Sequence, residues 1–158
     1  MRIIAGTARH RLLKSVPDML TRPTLDRIKE SVFNILTPRI PEAEVLDLFA
    51  GTGNMGLEAL SRGASFAHFV DNRKIASDVI LDNITTLGFV SQSKVLLMDY
   101  DRALHELARD HKTFDIIFCD PPYNHQLELP SLTIIEQLQL LKPDGVIIVR
   151  YQQNTRSR

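Results

Sequence analysis

The chain has 158 residues, 19 basic and 19 acidic side chains, and 44% hydrophobic content. That length suits a single domain over 1–158 with a core burying about 68–70% of the unfolded surface, and the zero net charge gives no overall pull toward nucleic acid. No apolar run spans a bilayer, the Met1–Ile4 start lacks signal-peptide character, and the lone Cys119 leaves no internal disulfide, so a cytoplasmic protein away from membranes is expected.

Charge is uneven along the chain. Residues 1–17 hold Arg2, Arg9, Arg11 and Lys14 and no acid. Arg2–Gly6 and Leu12–Val16 are β-prone runs on either side of Thr7-Ala-Arg-His-Arg11, which predicts a small basic hairpin within an extension over 1–20. Its tip presents Arg9, His10 and Arg11, either as a clamp on RNA phosphates or as a solvated turn. Thr21-Arg22-Pro23-Thr24 then leads into an amphipathic helix. Thr24 is the expected N-cap, and Ile28, Val32, Phe33, Ile35 and Leu36 form the expected apolar stripe. Arg27 stands where a capping box would have Glu or Gln. Arg22 and Thr24 either face a ligand or simply cap the helix, which Pro38 and Pro41 end.

The stretch Glu44–Leu60 organises the rest. Val45–Phe49 is a short apolar run broken by Asp47; Gly51-Thr52-Gly53 follows, and then a helical pattern with Met55, Leu57, Ala59 and Leu60. This reads as strand, glycine turn, helix, with free N–H groups at the helix start. Gly51, Gly53 and Gly56 match the dinucleotide fingerprint, which on its own fits a nicotinamide domain, a methyl-donor site or a plain turn. Asp47 favours a ligand with an ammonium group. S-adenosylmethionine, a nucleoside with a charged amino-acid arm, is such a ligand; a pyrophosphate is not.

Phe66–Asp71 is a second strand ending in an acid, about 20 residues past the turn, where a carboxylate can take ribose hydroxyls or cap the next helix. That helix runs from about Arg73 to Leu87 and stops at Gly88. Lys94–Met98 is a third strand. Asp99 after it is placed for an adenine amino group, Tyr100 for its ring, and Asp101 as an alternative helix cap. Phe114–Cys119 is a fourth strand, with Cys119 as a small buried filler, and it runs into Asp120-Pro121-Pro122-Tyr123. The prolines stop the strand and leave carbonyls free, so a carboxylate, carbonyl acceptors and an aromatic face gather where an exocyclic amino group could be held. Asn124–Leu127 is expected to be a mobile loop over the site. A helix with Leu132, Ile135, Leu138 and Leu141, a Lys142-Pro-Asp-Gly145 turn and a fifth strand at Val146–Val149 complete the pattern. The five histidines lack ligand spacing, so no metal is expected.

Alternating strands and helices predict an α/β, Rossmann-like, doubly wound and mostly parallel sheet with helices on both faces. Asp47, Gly51, Gly53, Asp71, Asp99 and Asp120 all fall at strand C-termini, where such sheets bind ligands.

Arg22-Pro-Thr, Asp26-Arg27, Lys29-Glu30 and Phe33–Leu36, then Leu46–Gly53, Gly56–Gly63, Phe114–Phe118 and Asp120–Tyr123, together resemble the bacterial RsmD family over Met1 to about Val149. The resemblance implies methyl transfer from S-adenosylmethionine to the exocyclic N2 of a guanine in 16S small-subunit ribosomal RNA, within assembly particles. By that resemblance Asp47, Phe49, Gly51, Thr52 and Gly53 hold the methionine arm. Asp71 and Asn72 take the ribose, and Asp99 and Tyr100 the adenine. Asp120, Pro121, Pro122 and Tyr123 hold the target base, while Arg9, Arg11, Arg22 and Arg27 meet RNA. The rival readings are a DNA adenine-N6 or cytosine-N4 amino-methyltransferase, a non-catalytic scaffold that binds S-adenosylmethionine, and a nicotinamide oxidoreductase, which Asp47 and Asp120-Pro-Pro-Tyr123 disfavour. Asn54-Met55 replaces smaller or aliphatic residues usual in the family. Family members also continue into an antiparallel hairpin, for which the polar tail of residues 150–158 is too short. A missing strand pair, an unprotected edge and lower stability, a covering partner or reduced activity are the expectations.

Overall fold

The computed structural model describes residues 1–17, 23–122 and 125–150, with side chains described from residue 26 onward in the first helix. Five strands, β1 (Glu44–Leu48), β2 (Phe66–Asp71), β3 (Ser93–Leu97), β4 (Phe114–Cys119) and β5 (Leu141–Val149), form one sheet in the order β3-β2-β1-β4-β5. Every neighbouring pair is parallel, as expected of strands joined through helices. Strand order reverses between β1 and β4, where Asp47 lies level with Phe69 on β2 and Phe118 on β4.

Helices cover both faces. On one face α1 (Pro23–Leu36), α2 (Asn54–Ser61) and α3 (Lys74–Leu87) pack Phe33, Leu57 and Ile80 against Val45, Phe69 and Phe118. On the other, α4 (Tyr100–Arg109) and α5 (Glu128–Gln137) pack Leu104, Leu107 and Ile135 against Leu46, Leu48 and Ile117. Successive strand residues thus feed opposite cores, which explains why β1 and β4 read as continuous apolar runs.

Four expectations need correction, three in α1 and β5 and the fourth at the Thr24 cap. On α1, Ile28 and Ile35 are 48% and 74% exposed, while Lys29 is buried on the face shared with Phe33 and Leu36. Val32, Phe33 and Leu36 keep the expected inward face, while Lys29 takes the place expected of Ile28, its charge met by the buried Glu58 on α2. Lys142–Gly145 is not a turn before the fifth strand but an irregularity inside it: pairing jumps from Phe114–Leu141 to Ile116–Val146. Leu141 accordingly belongs to β5 and not to the preceding helix. β5 is an edge strand among the described residues, and Val146–Val149 are each only half-buried.

The N-terminal segment forms a hairpin-like loop closed by a single antiparallel bridge, Arg2 to Leu12. It lies along α2: Ala8 N–H donates to Ser61 Oγ at 2.9 Å, and Thr7 N–H to the Ser61 carbonyl at 2.8 Å. The expected N-cap at Thr24 falls inside α1, which begins at Pro23. Residues 151–158, including Arg156 and Arg158 of the expected polar tail, lie outside the described residues.

Candidate active site

After Leu48 the chain turns through Phe49–Gly53 into α2. Phe49, Gly51 and Gly53 have φ of 63°, 61° and 81°. For a phenylalanine such a conformation costs on the order of 1–3 kcal/mol and persists only where its surroundings fix it. Here they do: Ala50 N–H donates to the Val70 carbonyl at 2.8 Å, Gly51 N–H to Asp71 Oδ2 at 3.0 Å, and Gly56 N–H to Asp47 Oδ2 at 2.9 Å. Gly56 also lets α2 rest on β2, since a Cβ there would stand 2.4 Å from Phe69 Cε1. Gly53 faces the core rather than the cleft; its hydrogen-only side chain serves the turn.

The turn opens onto a cavity of about 1140 Å³ at the C-terminal ends of the strands. Asp47, Phe49, Gly51, Thr52, Asp71, Asn72, Asp99, Tyr100, Asp120, Pro121 and Pro122 all line it. Residues expected to serve cofactor and base thus share one space. Asp47 is 2% exposed, and burial pushes its carboxyl up to about 8; the Gly56 N–H opposes this, and the charges of Asp120 and Asp71 add to it. Asp71 accepts a second bond from Arg73 N–H at 3.0 Å. Asn72 donates through Nδ2 to Asp99 Oδ1 at 2.9 Å. The Phe49 and Tyr100 rings lie 5.4 Å apart at 39°, an apolar pair beside these polar groups. Asp99 is the N-cap residue of α4 without a side-chain capping bond, and Asp101 accepts from Arg102 N–H instead.

Asp120 stands across the cleft with its side chain 47% exposed, 3.4 Å from Arg150 Nη1. Crowding by the cleft wall raises its pKa and Arg150 opposes the rise. Pro121 is buried and Pro122 exposed. Cys119 is buried against α5, where burial pushes its thiol up to about 11, leaving a filler rather than a nucleophile. Tyr123 and Arg22 lie outside the described residues.

The basic residues are dispersed. Arg11 donates to the Thr86 carbonyl at 2.9 Å, at the C-terminal end of α3, and Arg9 follows the loop held at Ser61, the C-terminal end of α2. Both are exposed and sit at the helix ends opposite the cleft. Arg27 is exposed on α1, beside the cleft-lining Ile28 and Lys29.

Lys29 is a site residue that sequence reasoning missed. It is 1% exposed, and its Nζ donates to Glu58 Oε1 at 2.9 Å, the Arg2 carbonyl at 2.9 Å and Asn54 Oδ1. Three acceptors use all three hydrogens, so the ammonium is charged although burial pulls its pKa down. Burial works against the Glu58 charge too, but Lys29, Arg62 and Ile4 N–H outweigh it and hold that carboxyl below its usual range. The signal was present: Lys29 precedes Phe33 by four positions and Leu36 by seven, which places it on the buried face. Among the described residues no group of three His, Cys, Asp or Glu could hold a metal, and no helix is long and apolar enough to cross a membrane.

Fold and cleft together define a Rossmann-like domain that takes a nucleoside ligand at its switch point. The chain belongs to the RsmD family: the family model described as "Conserved hypothetical protein 95" matches residues 1–158. Ribosomal RNA small subunit methyltransferase D of Haemophilus influenzae is 34% identical over 154 residues, covering 98% of this chain and 80% of that protein. The solved structure of yhhF from Escherichia coli superposes with a TM-score of 0.82 at 36% identity, covering 94% of this chain and 80% of the other. SMU.776, solved in complex with SAH, gives a TM-score of 0.64 at 25% identity, covering 77% of this chain and 34% of that one.

Proposed function

We propose that this protein transfers a methyl group from S-adenosylmethionine to the exocyclic N2 of a guanine in 16S ribosomal RNA, in the cytoplasm and within small-subunit assembly particles. The observation that carries the reading is Asp120, a half-exposed carboxylate at the end of β4, opening into the same cavity as the glycine turn. The named activity of the Haemophilus relative supports the substrate, and the SAH complex of SMU.776 the cofactor.

The residues present fit the donor. A buried acid at Asp47 suits an ammonium, Asp71 and Asn72 suit ribose hydroxyls, and Asp99 with the Phe49–Tyr100 pair suits an adenine. S-adenosylmethionine supplies an electrophilic methyl group on a sulfonium. The guanine amino group is a weak nucleophile because its lone pair is delocalised into the ring. Asp120 and the Pro121 carbonyl accept its two N–H bonds, orient the lone pair and stabilise the positive charge that develops on nitrogen as the N–C bond forms and the sulfonium S–C bond breaks to leave SAH; the surplus amino proton departs through Asp120 to solvent. Arg150 favours the ionised Asp120 that such an acceptor requires. Tyr123 stacks on the base, which has left its own stack. Arg27 holds phosphates near the cleft, Arg9 and Arg11 meet more distant phosphates along the N-terminal loop, and Arg22 joins them as the family resemblance implies.

A tritium-methyl transfer assay on naked 16S RNA, small subunits and DNA tests this. Label is expected on guanine N2 in the small-subunit RNA; label on DNA alone, or on no nucleic acid, overturns it.

A further inference from the structure

Two buried side chains grip the glycine turn from either side, Asn83 from behind the cleft and Lys29 from its wall. Asn83, on α3 and 3% exposed, donates through Nδ2 to the Thr52 carbonyl at 3.0 Å and to the Lys14 carbonyl at 3.1 Å. Its Oδ1 accepts from Lys14 N–H at 2.7 Å. Lys29, on α1, reaches Asn54 Oδ1 and the Arg2 carbonyl from the other side. Each side chain therefore ties one residue flanking Gly53 to one arm of the N-terminal loop. Both hydrogens of the Asn83 amide and all three of the Lys29 ammonium are already donated, so neither has a hydrogen left for a ligand. What they can do is fix the turn. That turn has three residues at positive φ, and one of them, Phe49, is not a glycine and keeps that conformation only where its surroundings fix it.

We propose that Asn83 and Lys29 are positioning residues that clamp the N-terminal segment to the glycine turn, so that this segment sets the affinity for the nucleoside ligand even when no RNA is bound. The proposal rests on the turn being the S-adenosylmethionine site. Without the clamp the turn spends part of its time in shapes that cannot bind, and affinity falls by that fraction. The segment is then part of the cofactor site and not only an arm for RNA.

The test is calorimetric titration of SAH into the full chain without RNA, well below its melting temperature, together with amide hydrogen exchange at Gly51, Gly53 and Gly56 in the free protein. Asn83→Ala strands the Thr52 carbonyl and both the carbonyl and the amide of Lys14; the expected loss is about tenfold in SAH affinity, with faster exchange at the three glycines. Lys29→Met should behave likewise, and Lys29→Arg should restore most of the affinity. Asn83→Asp, which keeps the acceptor for Lys14 N–H but loses the donors to the Thr52 and Lys14 carbonyls, serves if the alanine variant does not fold. Asp82→Asn is the control: it removes the exposed ion pair to Lys14 from the neighbouring position on α3 and should leave affinity and exchange unchanged. Folded Asn83 and Lys29 variants with wild-type affinity and exchange overturn the proposal, as does an Asp82→Asn variant that loses as much as Asn83→Ala. If the wild-type protein takes up no SAH, the methyltransferase reading fails, and the exchange comparison by itself decides whether the clamp exists.

Discussion

On the β1–β3 side of the cleft, Asp47 accepts from Gly56, Asp71 from Gly51 and Arg73, and Asp99 from Asn72. On the β4 side Asp120 meets Arg150 at 3.4 Å and keeps 47% of its side chain exposed. Residues of the same chemical type therefore do different work. The first three hold a strained turn and its neighbours in place, and a ligand arriving there meets a surface already shaped. Asp120 is committed to little, so its acceptor capacity is available to a substrate. A preorganised cofactor half and an open transfer half are separable by mutation if this division is correct.

The largest separation is expected at Asp120. Asp120→Ala removes the proposed acceptor for the amino group and none of the bonds that shape the turn. Methyl transfer should fall by at least about 10²–10³-fold in kcat, while SAH affinity, measured above pH 8 where Asp47 is ionised in both proteins, stays within about twofold. Single-turnover kinetics alongside a binding titration decides it. Transfer that survives, or affinity that falls in step with rate, would merge the two halves.

How much of this division was legible beforehand follows from the kind of information each part needs. The glycine turn showed itself because positive φ and backbone contact restrict the residue type, and Gly56 against Phe69 is such a contact. β1, β2 and β4 showed themselves because burial on both faces leaves continuous apolar runs. Lys142–Gly145 reads as a turn because its composition is that of one; only pairing with β4 reveals that the strand runs through it. Lys29 is half-legible: its spacing to Phe33 and Leu36 puts it on the buried face, but its residue type argues for solvent. A lysine on a helix is ordinarily solvated, and the partner that makes its burial tolerable, Glu58, comes from a distant helix. Asn83 gives no local sign at all, since its partners Thr52 and Lys14 become neighbours only in the folded chain.

A smaller effect is expected where α2 rests on β2. Gly56→Ala places a methyl group 2.4 Å from Phe69 Cε1, and Phe69 is fully buried. Overpacking of this kind costs about 1–3 kcal/mol, so the denaturation midpoint should drop with an unchanged m-value. Because Gly56 N–H also binds Asp47, the same change should weaken SAH and leave the transfer rate at saturating cofactor close to wild type. That pattern is the converse of the one expected at Asp120. A Gly56→Ala protein as stable as wild type would show that the helix shifts freely on the sheet.

The finest comparison uses pH, because Asp47 links the halves through charge. Its carboxyl is pushed up to about 8, first by burial and then by Asp120 and Asp71. A folded-state pKa raised above the unfolded one means that the protonated acid favours the fold. The contribution is complete below the ordinary carboxylate range and is lost as pH rises toward about 8, so the free protein should melt at lower temperature at pH 8 than at pH 6. Ligand binding runs the other way. An ammonium beside Asp47 needs the ionised form, so uptake of SAH below pH 8 releases a proton, and affinity climbs with pH by at most about tenfold per unit. Calorimetry in two buffers of different ionisation enthalpy counts that proton, and Asp47→Asn should abolish both the count and the slope. Asp120→Asn removes one of the two charges that raise Asp47 and none of its bonds, so the whole profile should move to lower pH while its shape is kept. A profile unmoved by Asp120→Asn would mean that the two acids do not sense each other across the cleft, and that burial by itself sets the ionisation of Asp47.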